Sequence, residues 1–438
     1  MKRVLITLAL LVTASAWADA QTLTLHNCLE KGLENNYSLR ISRNQEEVAH
    51  NNATLANAGY LPSIDLSAGY NADLANSDSK LRTTGETTEV RNSFDQSLNA
   101  GIGVSWTIFD GFKISTNYKQ LKELERMGEL NTRITLEDFI AGLTAEYYNF
   151  IHQKLRLANY YYAVKLSKER LRIVEERYNI GNFSRLDYQQ AKVDFYADSA
   201  KYIKQQEVVL SSRIALNEMM ANEAVYTPIE TKEKDIEADA TLLFADLWNN
   251  MLEKNTNLKL AESDRRLSEM DYKKVLSRNY PYVKFNTGYN YTFSKYDTNS
   301  YTRRSNWGGS TGITVGFNLW DGNRKREKKN ARIKIENAKL ERDRLELALK
   351  AELGNLWQAY QNNLQLIKLE KENVITAREN HEIAIERHML GDISGIEMRE
   401  AQQSLIEAEE RLLSAKFQTK LCEISLRLIS GDIDIYMK

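Results

Sequence analysis

Proline is almost missing: 3 residues in 438, against a usual share of about 5%. A chain so poor in the strongest helix breaker can carry very long uninterrupted helices. Cysteine is equally scarce, with only Cys28 and Cys422, and the 5 histidines are scattered. That leaves too little material for a disulfide framework or a Cys/His metal cluster. Charge of one sign is lacking as well. Lys and Arg number 59 and Asp and Glu 60, for a net charge of −1, so no basic field argues for nucleic acid as a partner. Long apolar runs are absent: 42% of residues are hydrophobic and mean hydropathy is −0.53, which excludes a polytopic helical membrane protein. No P-loop, nucleophile elbow, HExxH or paired-cysteine motif occurs, and no enzymatic activity, catalytic residue, cofactor or metal is expected.

What is present starts with an address. Lys2 and Arg3 precede an apolar stretch, Val4 to Val12, too short to span a bilayer. Ala16-Trp17-Ala18 and Ala18-Asp19-Ala20 both fit small-x-small cleavage. Residues 1–20 therefore read as a cleaved secretory signal peptide rather than an anchor helix. Neither cleavage site is followed by cysteine, so no lipid anchor is expected there.

The chain then repeats itself. Glu34-Asn35-Asn36 aligns with Glu253-Lys254-Asn255, Pro62 with Pro281, and Gly69-Tyr70-Asn71 with Gly288-Tyr289-Asn290. Phe109-Asp110-Gly111 aligns with Trp320-Asp321-Gly322, and Glu176-Arg177 and Gly181 with Glu386-Arg387 and Gly391. The first copy takes 21–221, a polar linker 222–240, the second copy 241–430, and a short tail 431–438. Each copy reads as a helix (about 24–59 and 241–279) ending before proline, then two strands. A very long helix follows (about 112–180 and 323–390), and then a return helix (about 183–221 and 393–430). Asp110 and Asp321 are plausible N-caps, and Gly181 and Gly391 plausible helix stops. The long helices would run roughly 100 Å each. In the last helix Ala401, Leu405, Ala408, Leu412, Ala415, Thr419, Cys422, Leu426 and Ile429 alternate by four and three. That is the seam of a left-handed coiled coil.

The strands alternate between an apolar and a small polar set. Phe94, Leu98, Ala100, Ile102, Val104, Trp106 and Ile108 interleave with residues such as Asn99, Gly101, Gly103 and Ser105. The stretches 63–70, 283–293 and 312–319 do the same. Polar loops are expected at about 74–93 and 294–306. Strands of this length with one apolar and one polar face fit a membrane barrel, although a soluble two-sided sheet shares the alternation. Trp106, Phe109, Tyr280, Tyr282 and Trp320 fall at the helix ends of the strands, where an aromatic girdle would sit. Four strands cannot close a spanning barrel, and an open edge is not tolerated in lipid. Two chains would supply eight strands and three would supply twelve; alternation does not choose between them.

With this order of elements, the doubled repeat and two glycine tips, the chain resembles the TolC-type outer-membrane efflux proteins over about residues 22–431. The tips run from Arg177 through Gly181 and Ser184 to Asp187, and from Arg387 through Gly391 and Ser394 to Glu397. The resemblance implies a mostly α protein with a membrane β-barrel part. A long coiled-coil helical barrel and four strands per chain would be completed as a twelve-stranded barrel in a homotrimer. It implies an outer membrane location in a Gram-negative bacterium, with outer-membrane lipid around the barrel. The chain would be the exit duct of a tripartite efflux system, docking a periplasmic adaptor and an inner-membrane pump. An exit duct for type I protein secretion, or a structural periplasm-spanning coiled coil, is the alternative. By resemblance, Arg177, Gly181, Ser184, Arg387, Gly391 and Ser394 are adaptor contacts, and Asp187, Glu397 and Glu400 form the constriction. The chain departs from the family pattern with Ile393 in place of an arginine lock and His388 in place of tyrosine.

Two features remain. Arg324, Lys325, Arg326, Lys328 and Lys329 crowd the start of a helix, where the macrodipole disfavours cations. They are a solvated face, line the tunnel mouth, or meet lipid phosphates. Cys28 and Cys422 leave open a disulfide that sequence spacing does not decide.

Overall fold

Helix prevails wherever the four-and-three spacing continues without proline. The computed structural model describes residues 21–297 and 301–437. The expected signal peptide, 1–20, lies outside the described residues, as does the middle of the 294–306 loop. The element order is β1 (Gln21–Leu23), α1 (Leu25–Asn35), α2 (Tyr37–Asn52), α3 (Leu55–Ala58), β2 (Ser63–Lys80), β3 (Thr87–Asp110), α4 (Lys113–Asn179) and α5 (Arg185–Met219). There follow β4 (Ile229–Thr231), α6 (Phe244–Lys254), α7 (Thr256–Ser277), β5 (Tyr282–Lys295), β6 (Arg303–Gly316), α8 (Arg324–Leu390) and α9 (Gly395–Ser430). A 3₁₀ turn over Ile433–Met437 closes the order. The helices α4 and α8 have 67 residues each. Among the described residues no helix is long and apolar enough to cross a membrane.

Two compact units are present, and each takes pieces from both sequence copies. One draws on Gln45–Glu129 and Leu260–Arg342; the other holds Leu130–Lys259, Asp343–Lys438 and the segment ending at Asn44.

The first unit carries an antiparallel sheet in the order β2-β3-β5-β6. Its register places the apolar sets of all four strands on one face. Leu66 sits opposite Ile102 and Ile102 opposite Tyr289, while Trp106 faces Phe285 and Phe285 faces Ile313. The other face is small and polar, with rows such as Asp65, Gly103, Gly288 and Ser310. On the apolar face Leu66 is 84% exposed and Ile313 67% exposed within the single chain. β2 and β6 are the sheet's edges.

The loop expected at 74–93 is a correction. Pairing continues through Lys80 and Thr87, and the turn occupies only 81–86, closed by Leu81 N–H donating to the Glu86 carbonyl at 2.9 Å. Residues 76–80 and 87–92 are mostly polar on both faces, so the period-two signal ends while the backbone ladder continues. At the strand ends, Trp106 Nε1 donates to the Tyr60 carbonyl at 2.8 Å. Phe112 packs edge-on against Phe109 and Tyr280. Asp110 ends β3 two residues before the N-cap position of α4, against expectation, yet its carboxylate still accepts from the first-turn Ile114 N–H at 3.0 Å.

In the second unit the first helix of each copy is broken, against expectation, at equivalent asparagines. The Asn36 side-chain carbonyl accepts from Ser38 N–H and Leu39 N–H, and that of Asn255 accepts from Leu258 N–H. Each side-chain amide donates to the end of its own return helix: Asn36 to the Met219 carbonyl at 3.1 Å, Asn255 to the Ile429 carbonyl at 2.9 Å. One residue type thus ends a helix, caps the next and ties both to a third. In the first copy a further break at 53–54 precedes α3, where Thr54 caps the short helix.

Apolar burial repeats in the same way. Leu39, Leu143, Phe150 and Leu216 lie in one cluster, and their counterparts Leu258, Leu353, Tyr360 and Leu426 in another. The linker joins the first cluster, since β4 pairs in parallel with β1 and Ile229 and Ile236 are buried. The expected seam of α9 is buried at Ala401, Leu405, Ala408, Ala415, Thr419, Leu426 and Ile429. Leu412 and Cys422 are only half-buried. Both cysteines are free thiols. Cys28 belongs to the first cluster and Cys422 packs on the second, and burial pushes the Cys28 thiol up to about 12.

A buried charge cluster holds linker, α9 and tail together. Glu423, 2% exposed, accepts from Lys420 Nζ at 3.0 Å and Tyr436 Oη at 2.7 Å, and pairs with Arg427 Nε at 3.3 Å. It also accepts from the Asp239 N–H at 2.9 Å, while Arg427 Nη2 reaches the Asp239 carboxylate at 2.6 Å.

Candidate functional site

The two hairpin tips, both in the second unit, are built by one local recipe. Each long helix ends in a left-handed glycine, Gly181 with φ +84° and Gly391 with φ +85°. The residue after each glycine bonds back over the last turn: Asn182 N–H to the Arg177 carbonyl at 2.8 Å, Asp392 N–H to the Arg387 carbonyl at 2.9 Å. A Cβ at either glycine would meet nothing within 4 Å. The backbone angle, not crowding, therefore requires glycine.

Each return helix then opens with a capping box. Ser184 N–H donates to Asp187 Oδ2 at 3.1 Å while Asp187 N–H donates to Ser184 Oγ at 3.2 Å. Ser394 N–H donates to Glu397 Oε2 at 2.8 Å while Glu397 N–H donates to Ser394 Oγ at 3.2 Å. Four of the sequence-derived site residues, Ser184, Asp187, Ser394 and Glu397, thus shape the turns. The Ser394 N–H and hydroxyl, with a smaller contribution from Arg387, hold the Glu397 carboxyl below its usual range. Glu400 is exposed one turn along, on either side of half-buried Arg399 and buried Met398 from Glu397.

The paired arginines are used differently. Arg177 Nη2 donates to the Met389 carbonyl at 2.8 Å, joining one tip to the other, and its guanidinium lies over the Phe183 ring. Arg387 is exposed. His388 is buried against Phe183 and its Nδ1 donates to the Ile393 carbonyl at 3.2 Å. Ile393 thus contributes its backbone to the turn of its own hairpin.

Above the tips, ion pairs cross between hairpins. Arg399 forks onto Asp198 at 2.7 and 2.8 Å, and Arg156 meets Glu410 at 2.8 Å. Within the first hairpin Arg170, 4% exposed, pairs with Asp194, which also accepts from Gln190 at 3.1 Å. Sequence reasoning missed this ladder. A signal was available: Ala191, Asp198, Gln205 and Ser212 recur every seven residues on α5 and all are buried. They form a coiled-coil seam in polar letters, which a search for apolar periodicity passes over. Among the described residues no group of His, Cys, Asp and Glu could hold a metal ion.

The outer membrane efflux protein family model matches residues 28–222 and 247–432. Outer membrane protein TolC of Vibrio cholerae is 26% identical over 190 residues, 43% of this chain and 42% of that protein. That match therefore spans less than half of the relative's length. Two solved structures share the fold. A membrane protein from Pseudomonas aeruginosa aligns with a TM-score of 0.77 at 15% identity, covering 93% of each chain. The outer membrane protein VceC from Vibrio cholerae aligns with a TM-score of 0.74 at 15% identity, covering 93% of this chain and 96% of that one. With both repeats matched, over 28–222 and 247–432, the chain belongs to the outer membrane efflux protein family.

Proposed function

We propose that three copies of this chain form a channel in the outer membrane of a Gram-negative bacterium, the exit duct of a tripartite efflux system. The observation that carries this reading is the sheet: an exposed apolar face, a glycine-rich polar face and two open edges. An apolar face this large needs lipid, and unpaired edges in lipid need further strands. Twelve strands from three chains would enclose the polar faces as a water-filled lumen. The helices would continue the duct toward a periplasmic adaptor and an inner-membrane pump. The test is chemical cross-linking of the native outer-membrane fraction together with drug sensitivity of a deletion strain. Three linked chains and increased sensitivity to exported toxic compounds are expected. A functional monomer in detergent refutes the assembly, and unchanged tolerance across a broad panel refutes efflux.

In this reading the tips serve docking and closure. Arg177, Gly181, Ser184, Arg387, Gly391 and Ser394 present the adaptor surface, and Asp187, Glu397 and Glu400 narrow the entrance. A glycine that only stops a helix and one that also receives a partner are separable. Asparagine tolerates the left-handed region but adds a side chain. Gly181→Asn with Gly391→Asn is expected to keep the hairpins folded while weakening adaptor capture about tenfold or more, since close backbone approach is lost. Surface plasmon resonance against the purified adaptor measures it. Full binding by the double variant would restrict both glycines to ending helices.

A further inference from the structure

At the foot of the sheet, within the strand-bearing unit, a groove of about 300 Å³ is lined by the end of α7, by Leu319 and Trp320, and by Arg324, Lys325 and Lys328 of α8. Leu319 is 87% and Trp320 85% exposed, though both are large and apolar. The one acid in the lining, Asp321, already has a cation, Arg278, at 3.8 Å and accepts from the Asn323 N–H at 2.9 Å. Glu327, the acid of the first turn, is likewise taken by Arg278 at 2.6 Å. Among the described residues, neither Lys325 nor Lys328 has a carboxylate partner.

Arg324 is held in place from two sides. Its Nη2 donates to the Asn318 carbonyl at 2.9 Å and its Nη1 to Asn279 Oδ1 at 3.3 Å. Its Nε is buried without a hydrogen-bond partner. An oriented guanidinium and two further cations at a helix N-terminus are unfavourable by themselves. The macrodipole repels these charges, and an anion at the same place reverses the sign. Cations beside exposed aromatic and aliphatic side chains at the ends of barrel-type strands suit the boundary between headgroups and acyl chains.

We propose that this groove binds an anionic glycerophospholipid, with the phosphodiester against Arg324, Lys325 and Lys328 and an acyl chain along Leu319 and Trp320. The inference rests on the outer-membrane reading, because it takes the strand ends to lie at a lipid interface. It gives that membrane contact a defined headgroup charge, which the exposed strand faces alone do not. The lysines and Arg324 supply charge complementarity, while Trp320 distinguishes a lipid from a soluble phosphate.

The full-length protein in zwitterionic detergent is titrated with dioleoylphosphatidylglycerol, with dioleoylphosphatidylcholine and with glycerol-3-phosphate, and retained ligand is read by native mass spectrometry. Retention of the phosphatidylglycerol should exceed that of the phosphatidylcholine by about tenfold or more, as three cations near an anionic headgroup would give. Arg324→Gln with Lys325→Gln and Lys328→Gln should abolish that preference. Lys334→Gln with Lys339→Gln and Lys371→Gln, on the same helix outside the groove, should leave it intact. Trp320→Ala should lower phosphatidylglycerol retention without removing the charge preference. Equal retention of the two lipids, a preference that survives the groove substitutions, or glycerol-3-phosphate retained as well as the lipid would overturn the proposal. So would a Trp320→Ala variant that loses assembly but keeps lipid, since a second copy would then cover the groove. Conductance in a planar bilayer separates the two readings. A channel that conducts without any preference for phosphatidylglycerol refutes the groove alone, and a protein that never conducts refutes the outer-membrane reading.

Discussion

Glu423→Ala is expected to lower the unfolding free energy of the full-length protein by about 3–5 kcal/mol, the usual cost of removing one partner from a buried ion network. The substitution strips the acceptor shared by Lys420, Arg427, Tyr436 and the Asp239 N–H. Lys420 is 6% and Arg427 8% exposed, so water does not replace what is lost. Asp239 still accepts from Arg427 at 2.6 Å, which leaves Lys420 as the charge with least compensation. Tyr436 loses its hydroxyl partner, but the tail keeps Ile433 in the first cluster and Asp432 bonded to Asn250 and Lys254, so the loss should fall on the charge cluster rather than release the tail. Glu423→Gln keeps the shape and one acceptor oxygen and should cost less than alanine. Urea unfolding followed by circular dichroism gives both numbers. A loss under about 1 kcal/mol for the alanine variant would mean that the cluster is solvated rather than sealed.

The second large effect tests the proposed entrance. With Glu397→Gln and Glu400→Gln together, block of single-channel current by multivalent cations from the tip side should weaken by about tenfold or more, with reduced cation selectivity. Glutamine is the informative substitution at 397. It can still reach back to the Ser394 N–H and preserve the capping box, whereas alanine would remove charge and helix cap together. Because Ser394 and Arg387 depress the Glu397 pKa, its charge is present at neutral pH and is lost only as pH falls through that lowered value. The part of the block that Glu397 supplies should therefore persist at pH 5. Unchanged block and selectivity in the double variant would show that these carboxylates face away from the pore.

Much of this architecture was legible in the sequence because the repeat doubled every weak signal. One glycine after a long helix is ambiguous; Gly181 and Gly391 at matching positions are not, and both have positive φ. Strand alternation was legible on the part of the sheet with one apolar face. It failed at 76–80 and 87–92, where residues on both faces are mostly polar and the backbone ladder continues with Arg91 pairing across to Asp78 at 2.9 Å. The breaks at Asn36 and Asn255 were hidden for another reason. Asparagine is only a mild helix former, and its role there depends on the Met219 and Ile429 carbonyls, 183 and 174 residues away in sequence. At the tips the residue types were readable, but their division of labour was not. That Arg177 holds Met389 while Arg387 stays exposed depends on how two hairpins pack. The charge cluster around Glu423 shows in sequence only the three- and four-residue spacing of Lys420, Glu423 and Arg427 on α9; Asp239 and Tyr436 join it from linker and tail.

The open edges of the sheet carry a consequence in time. β2 presents 18 residues and β6 presents 14, and neither edge can enter hydrocarbon with its N–H and C=O groups unpaired. Nor is a long bare edge safe in water, where it templates pairing with any other extended chain. In the proposed assembly a newly exported chain therefore has no resting place of its own. Insertion and meeting its siblings become a single event, whose rate climbs faster than in proportion to the number of chains waiting. Halving the supply of the polypeptide would then remove more than half of the flux into finished channels, and dosage rather than stability would be the quantity to which the cell is most sensitive.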